Sequence, residues 1–415
     1  MKNLLLVLFS IITLYGADAT IEVTKEIDSL PSIVIEDASK LDGNLNKHFF
    51  RSLSSDLNVL SIFNVEKNYS TAEFNEDSVT KWHKEFDYVV RFRVEKGFSN
   101  AMEVDMKLFS KNTLVYEKSY KIANSSNYVF LAHAVAYDVN RYMGAEDVSW
   151  MKKKVILSRL TQAGRSEIVI ADYSLAYQKV ILRKKLLIFP KWANKEQTAF
   201  YYTSLSGLEP TLYRLDLKTS RRTKIMSSDG MMICSDVSED GNDLLLTMAP
   251  NGQPDIYLYK LRSKKLSRLT QYNGIDVSGQ FMEGAKIAFV SNRLGYPNIF
   301  SKKIGSSAVE QMVYYGKSNM ACSANKEYIV YTARESSHRF SANTFNLHLI
   351  STKTDFIRRL SATGVNEFPR FSRDGTVVLY VKNYKNQSSI GIVRLNYNKS
   401  FLFPLKVGKI QSMDW

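Results

Sequence analysis

The sequence predicts a multidomain protein: a small N-terminal α+β domain followed by a six-bladed β-propeller. Three observations carry this. The 415 residues exceed what a single hydrophobic core supports, so at least two domains are expected. Helix and strand periodicities mix only in the first third of the chain. Beyond it, a strand-rich phrase returns about every 41 to 49 residues, the period of a four-stranded propeller blade.

The chain opens with "MKNLLLVLFSIITLYGADA", one Lys before an apolar run that ends on Ala17-Asp18-Ala19. This is the pattern of an export signal at residues 1–19 with cleavage after Ala19, and the run is too short to span a bilayer. A retained N-terminal membrane anchor is the competing reading. No later segment has the roughly 18 consecutive apolar residues of a membrane helix, so a soluble, exported mature chain is expected.

Residues 20–150 form the α+β unit. "TIEVTKEI" alternates as a strand, and Phe50, Leu53, Leu57 and Leu60 recur at helical spacing. "DYVVRFRVEK" and "MEVDMKLFS" alternate again; Met102, Val104, Met106 and Leu108 share one face. Leu131, Val135, Val139 and Tyr142 then make a second helical stripe, with Ser126 or Asn127 as N-cap and Gly144 just past the C-terminus. Helices on one side of a sheet are the expected packing.

Residues 151–415 repeat. The phrases "PKWANKEQTAFYYTS", "SDVSEDGNDLLLTM", "GQFMEGAKIAFVSN", "MACSANKEYIVYTA" and "PRFSRDGTVVLYVK" align on the anchors Trp192, Val237, Phe281, Cys322 and Phe371. Each period gives an inner strand, a turn such as "EDG", "MEG" or "RDG", and three further strands. The glycine suits a primed hairpin turn, which needs positive φ. Residues 155–183 supply three strands with no inner strand before them, and "GKIQSMDW" with Trp415 supplies one. A sixth blade built from both chain ends is expected, leaving no open edge.

Composition bounds the chemistry. Tyr (24) and Phe (22) are abundant, which favours strands. Two cysteines, Cys234 and Cys322, make no disulfide framework and read as small buried thiols. The net charge of +15 is spread over polar turns such as "RRTK", "RSKK" and "IRR" rather than ordered along one helix or groove, so a solvated basic surface is expected and no nucleic-acid partner. An attraction to acidic partners or anionic lipid headgroups stays open; it would be sensitive to salt. No G-x-S-x-G elbow, H-E-x-x-H motif, Cys/His ligand cluster or phosphate-binding glycine loop appears, so neither catalysis nor a metal or cofactor is expected. The alternative is an exported propeller hydrolase or lyase with a carboxylate pair in the central channel, acting on a polysaccharide or peptide.

Export signal, small α+β domain, repeats of the type "VSEDGNDLLLTMAPNGQPDIYLYKLRSKKLSRLT" and a final "QSMDW" together resemble the TolB family of the Tol-Pal envelope system. The resemblance spans nearly the whole mature chain, including "SYKIANSSNYVFLAHAVAYDVNRYMG". It implies a monomeric, non-enzymatic periplasmic adaptor that maintains outer-membrane integrity and supports invagination at division. It also implies two binding surfaces. The segment "TIEVTKEIDS" would pair with the C-terminal domain of TolA by strand addition, through Ile21, Val23 and Ile27. The propeller face whose loops lead from an outer strand into the next inner strand would receive the lipoprotein Pal and hold the chain peripherally at the outer membrane. By alignment to the anchors, that face is Met231, Cys234, Asn273, Val277, Asn319, Met320, Asn366 and Glu367. The sequence departs from the family's usual "SPDG" turns here, having "SEDG", "MEG", "ANKE" and "SRDG".

Overall fold

A computed structural model describes residues 30–415 apart from 41–42, 77, 317, 336–343 and 355. The export signal with Ala19, and Ile21, Val23 and Ile27, therefore lie outside the described residues.

In the N-terminal domain the strands run in the order Asn64–Val65, Ser32–Asp37, Tyr88–Lys96, Met102–Ser110, Thr113–Ile122. The first two joins are parallel and the rest antiparallel. Helices α1 (Asn44–Leu60) and α2 (Tyr128–Tyr142) pack on each other, and their stripes of Phe50, Leu53, Leu57, Leu131, Val135 and Val139 are buried with Met102, Val104, Met106 and Leu108 of the sheet. The capping of α2 differs from expectation. A 3₁₀ turn at Ser125–Asn127 precedes it, and the side chain of Asn124 accepts from the Ser126 N–H, which makes Asn124 the capping residue. Gly144 has a φ of 63°, as a residue after a helix end requires. On the opposite face of the sheet, fully buried Arg91 pairs with Glu36 at 2.7 Å and donates to the carbonyls of Glu73, Glu76 and Ser78, pinning that loop over the sheet.

Beyond it, the described residues form six four-stranded antiparallel blades. Blades I to V occupy residues 187–227, 232–268, 276–311, 319–359 and 365–404; in each, the strands follow chain order from the channel outward. Blade VI is ordered Lys409–Asp414, Val155–Gln162, Arg165–Ala171, Gln178–Lys185, so its inner strand comes from the C-terminus. Blades IV and V share one parallel bridge, Phe345 to Val365.

Two details depart from the sequence reading. Gly241 and Gly375 do have positive φ, but Asp240 and Asp374 before them do not. Their N–H groups donate to the carbonyls of Ser238 and Ser372, so each glycine ends a type I turn instead of sitting inside a primed one. In blade IV the residue in register with Trp192, Val237, Phe281 and Phe371 is Ala324, opposite Ile329, and not Cys322. Alignment on the phrase before each polar turn had placed that anchor two residues early.

The two units share a core. Residues of α1 and α2 bury together with Tyr173, Val377, Leu379, Ile390, Ile392 and Met413 of blades V and VI. The N-terminal domain sits on the end of the propeller that carries the turns between third and fourth strands. Arg394, fully buried at the end of a blade V strand, donates to the carbonyls of Val59 and Leu60 at the C-terminus of α1 and to Glu146. Those carbonyls are among the unpaired acceptors of a helix end, and the cation suits the helix dipole there.

Candidate functional site: the free mouth of the propeller

Every inner strand carries a bulge at the same height. It spans two residues in blades I, III and V, between Ile188 and Lys191, Val277 and Gln280, and Glu367 and Arg370. It spans one in blades II, IV and VI, between Cys234 and Asp236, Met320 and Cys322, and Ile410 and Ser412. A bulge bends a strand and re-aims the side chains that follow. Here they gather into a belt across the channel. Lys191 lies 3.0 Å from Asp236 and 2.9 Å from Asp414; Arg370 lies 3.2 Å from Asp414 and 3.3 Å from the side-chain oxygen of Gln280.

The belt has an approximate threefold repeat. Lys191, Gln280 and Arg370 alternate with Asp236, Ser323 and Asp414. Each member of the second set accepts the backbone N–H of the next blade's anchor: Asp236 from Phe281, Ser323 from Phe371, Asp414 from Trp192. Six blades are thus stitched as three pairs. Burial alone would depress the pKa of Lys191, but the carboxylates of Asp236 and Asp414 outweigh it and raise the pKa. Each belt residue stands immediately before an anchor in the sequence, as in "KW", "DV", "QF", "SA", "RF" and "DW". That signal was legible, and the misplaced anchor in blade IV concealed it.

Replacing Lys191 by Ala removes the cation paired with Asp236 and leaves Asp414 with Arg370 alone. Breaking a buried ion pair from one side costs about 3 to 5 kcal/mol; the 11% and 17% exposure of Lys191 and Asp236 puts the expected loss at the lower end. Urea midpoints of wild type and Lys191→Ala measure it, and a shift within error would show that the belt adds nothing to closure.

Above the belt lies a cavity of about 260 Å³, lined by Met231, Cys234, Val277, Cys322, Phe368 and Met413 among others. Both thiols are buried. Burial pushes Cys322 up to about 12 and Cys234 well above its ordinary value, so both stay protonated and unreactive at neutral pH.

The eight residues expected on this face divide by depth. Met231 and Asn273 are exposed; Val277, Met320 and Glu367 are partly exposed. Cys234, Asn319 and Asn366 are buried. The Asn319 amide donates to the Asn298 side chain and the Tyr315 carbonyl, and the Asn366 amide to Phe345, Thr363 and Asn346. These two asparagines fasten an inner strand to the blade before it. The larger surface signal was missed in the sequence. Leu208, Ile275, Leu294, Tyr314, Tyr315 and Val407 are all exposed, and all stand in loops at this one mouth. Such loop residues have no periodicity, so only the fold reveals that they converge.

Among the described residues, no group of three or more His, Cys, Asp or Glu side chains is arranged to hold a metal. No described helix is long and apolar enough to cross a membrane.

The family profile described as the TolB beta propeller domain matches residues 150–415. The chain belongs to the TolB family. It is 46% identical over 423 residues to the Tol-Pal system protein TolB of Wolinella succinogenes, covering 100% of both chains. It is 42% identical to that of Campylobacter jejuni strain RM1221, covering 97% of each. Among solved structures, TolB from Acinetobacter baumannii superposes with a TM-score of 0.74 at 21% identity, over 93% of this chain and 97% of that one, which supports the fold. TolB is a non-enzymatic component of the Tol-Pal system with a role in envelope integrity, and the chain shares that role. The belt agrees with this: its two carboxylates, Asp236 and Asp414, are committed to Lys191 and Arg370 and are not presented as an acid and base pair, against the hydrolase or lyase alternative.

Proposed function

We propose that the mature chain, residues 20–415 after removal of 1–19, works in the periplasm as an adaptor with two partners. Pal is received at the free mouth of the propeller, on Met231, Asn273, Val277, Met320 and Glu367 with the exposed loop residues around them. TolA is engaged through Ile21, Val23 and Ile27. The observation that carries the first part is the cluster of large apolar side chains on one mouth, while the N-terminal domain packs on blades V and VI at the opposite end. A patch of this kind on a folded surface is the ordinary signature of a protein partner. Asn319 and Asn366 hold the loops that present it.

The test is a binding assay with purified Pal and the C-terminal domain of TolA. Pal should bind equally to the mature chain and to a version lacking residues 20–29, whereas TolA should bind only the full one. Met231→Glu with Tyr315→Glu should weaken Pal at least tenfold, since a charge buried at an apolar contact is strongly disfavoured, and leave TolA binding unchanged. Unaltered Pal affinity in that variant would place the Pal contact elsewhere.

A further inference from the structure

Asn-x-Ser/Thr, with x other than Pro, is the acceptor pattern for an N-linked glycan in an exported chain. The sequence holds four, at Asn68, Asn124, Asn386 and Asn398, each completed by a serine. Transfer needs a carboxamide free to turn and, two residues on, a hydroxyl that the transferase can reach. Three of the four fail this on the folded chain. The Asn124 side-chain oxygen accepts from both the N–H and the hydroxyl of Ser126 in the cap before α2. Ser388, which completes the Asn386 pattern, is 2% exposed and donates to Asn383 within blade V. The Asn398 side-chain oxygen accepts from Arg358 at 2.7 Å.

Asn68 differs. It lies at an edge of the N-terminal sheet, where the chain from Asn64–Val65 to Ser70–Thr71 runs parallel to Ser32–Asp37. Val65 is in register with Ile33 and Ser70 with Glu36, so five steps of the edge chain cover three of its neighbour. The surplus is extruded as a bulge. Lys67, Asn68 and Tyr69 are exposed there, and Tyr69 turns its hydroxyl inward to Asp37. The Asn68 N–H donates to the Glu66 carboxylate at 2.9 Å, and among the described residues no hydrogen bond holds the Asn68 side chain. The Ser70 hydroxyl donates to the Ile35 carbonyl, but its strand is two residues long, so local opening releases it without disturbing the core.

We propose that Asn68 is an N-glycosylation site. In a membrane oligosaccharyltransferase, its Nδ2 attacks the anomeric carbon of an oligosaccharide carried on a polyprenyl diphosphate. The N–C bond forms as the anomeric C–O bond breaks, the bonding pair leaves on the polyprenyl diphosphate, and one amide proton passes to a base of the transferase. At this edge the glycan is a bulky, solubilising group that blocks strand pairing with other chains. The inference rests on export of the chain and needs neither Pal nor TolA binding.

Mass spectrometry of the full chain purified from the cells that make it, intact and after trypsin, tests this. The intact chain should exceed its sequence mass by a set of sugar residues, all of them on the tryptic peptide 68–81. Asn68→Gln and Ser70→Ala should each lose the whole increment. Ser70→Thr, which restores a hydroxyl, should keep it, and so should Asn398→Gln. All four variants should melt within a few degrees of wild type, which separates loss of the glycan from loss of the fold. An increment that survives Asn68→Gln or Ser70→Ala would overturn the proposal. An unmodified chain would overturn it too, and its first residue tells the two failures apart: removal of 1–19 leaves export standing, whereas their retention refutes export as well.

Discussion

Deleting residues 409–415 is expected to abolish the cooperative unfolding transition of the propeller. The segment is the inner strand of blade VI and pairs with residues 156–160 along its length. Its loss removes the buried side chains of Ile410 and Met413, each worth about 1.5 to 3 kcal/mol. It also removes Asp414, so Lys191 and Arg370 lose a counter-charge and the Trp192 N–H loses its acceptor. What remains is a ring with an exposed strand edge, open to pairing between chains. Thermal melts followed by near-ultraviolet circular dichroism, with dye binding to detect exposed apolar surface, provide the readout. A truncated chain that melts sharply within a few degrees of the intact one would show that closure by this strand is dispensable.

The second large effect is expected at His133. Its ring is fully buried between the two units: Nδ1 is 2.8 Å from Asp56 of α1, and Nε2 is 3.4 Å from Asp172 in a turn of blade VI. Tyr173 stacks on the imidazole at 4.8 Å and donates its hydroxyl to Asp56. Burial opposes the charge, but the two carboxylates prevail and raise the imidazole pKa from 6.5 to about 10. Replacing His133 by Ala leaves two buried carboxylates facing each other and should cost about 3 to 5 kcal/mol in urea unfolding. Because the folded-state pKa is raised, the stabilisation is complete below about pH 6.5 and is lost as pH rises through about 10. Asp172 is depressed below its usual 3.8, so its share is present above that value and is lost in stronger acid. Wild type should therefore lose more stability than His133→Gln between pH 7 and 9.5. Parallel pH profiles for the two would refute the assignment of a charged His133. A double-mutant cycle of His133→Gln with Asp172→Asn should show coupling, since the residues touch across the domain boundary.

These two sites differ in how far the sequence revealed them. The closing strand was readable because "QSMDW" repeats the grammar of the other inner strands at the right interval. The clasp was not, because Asp56, His133 and Asp172 are far apart in the chain and each sits within an ordinary helical or turn pattern. Alignment on the phrase before each turn placed Trp192, Val237, Phe281 and Phe371 in a common register. In blade IV, where the residue in that register is Ala324, the phase slipped by two. On the expected binding face, alignment to the anchors carries no information about depth, so buried Asn319 and Asn366 were grouped with exposed Met231 and Asn273.

Periodicity is a local property, so the sequence by itself determined the elements that depend on it: the mixed first domain, the repeating four-stranded blades, their number and the role of the last strand. Tertiary structure alone decided which side chains meet. It brought six residues that precede anchors into one belt of ion pairs and hydrogen bonds, collected isolated loop apolar residues at one mouth, and buried a histidine between carboxylates of two units. The reason is physical. Burial, counter-charge and convergence depend on through-space distance, and a closed ring sets residues more than two hundred positions apart, such as Lys191 and Asp414, within 2.9 Å of each other.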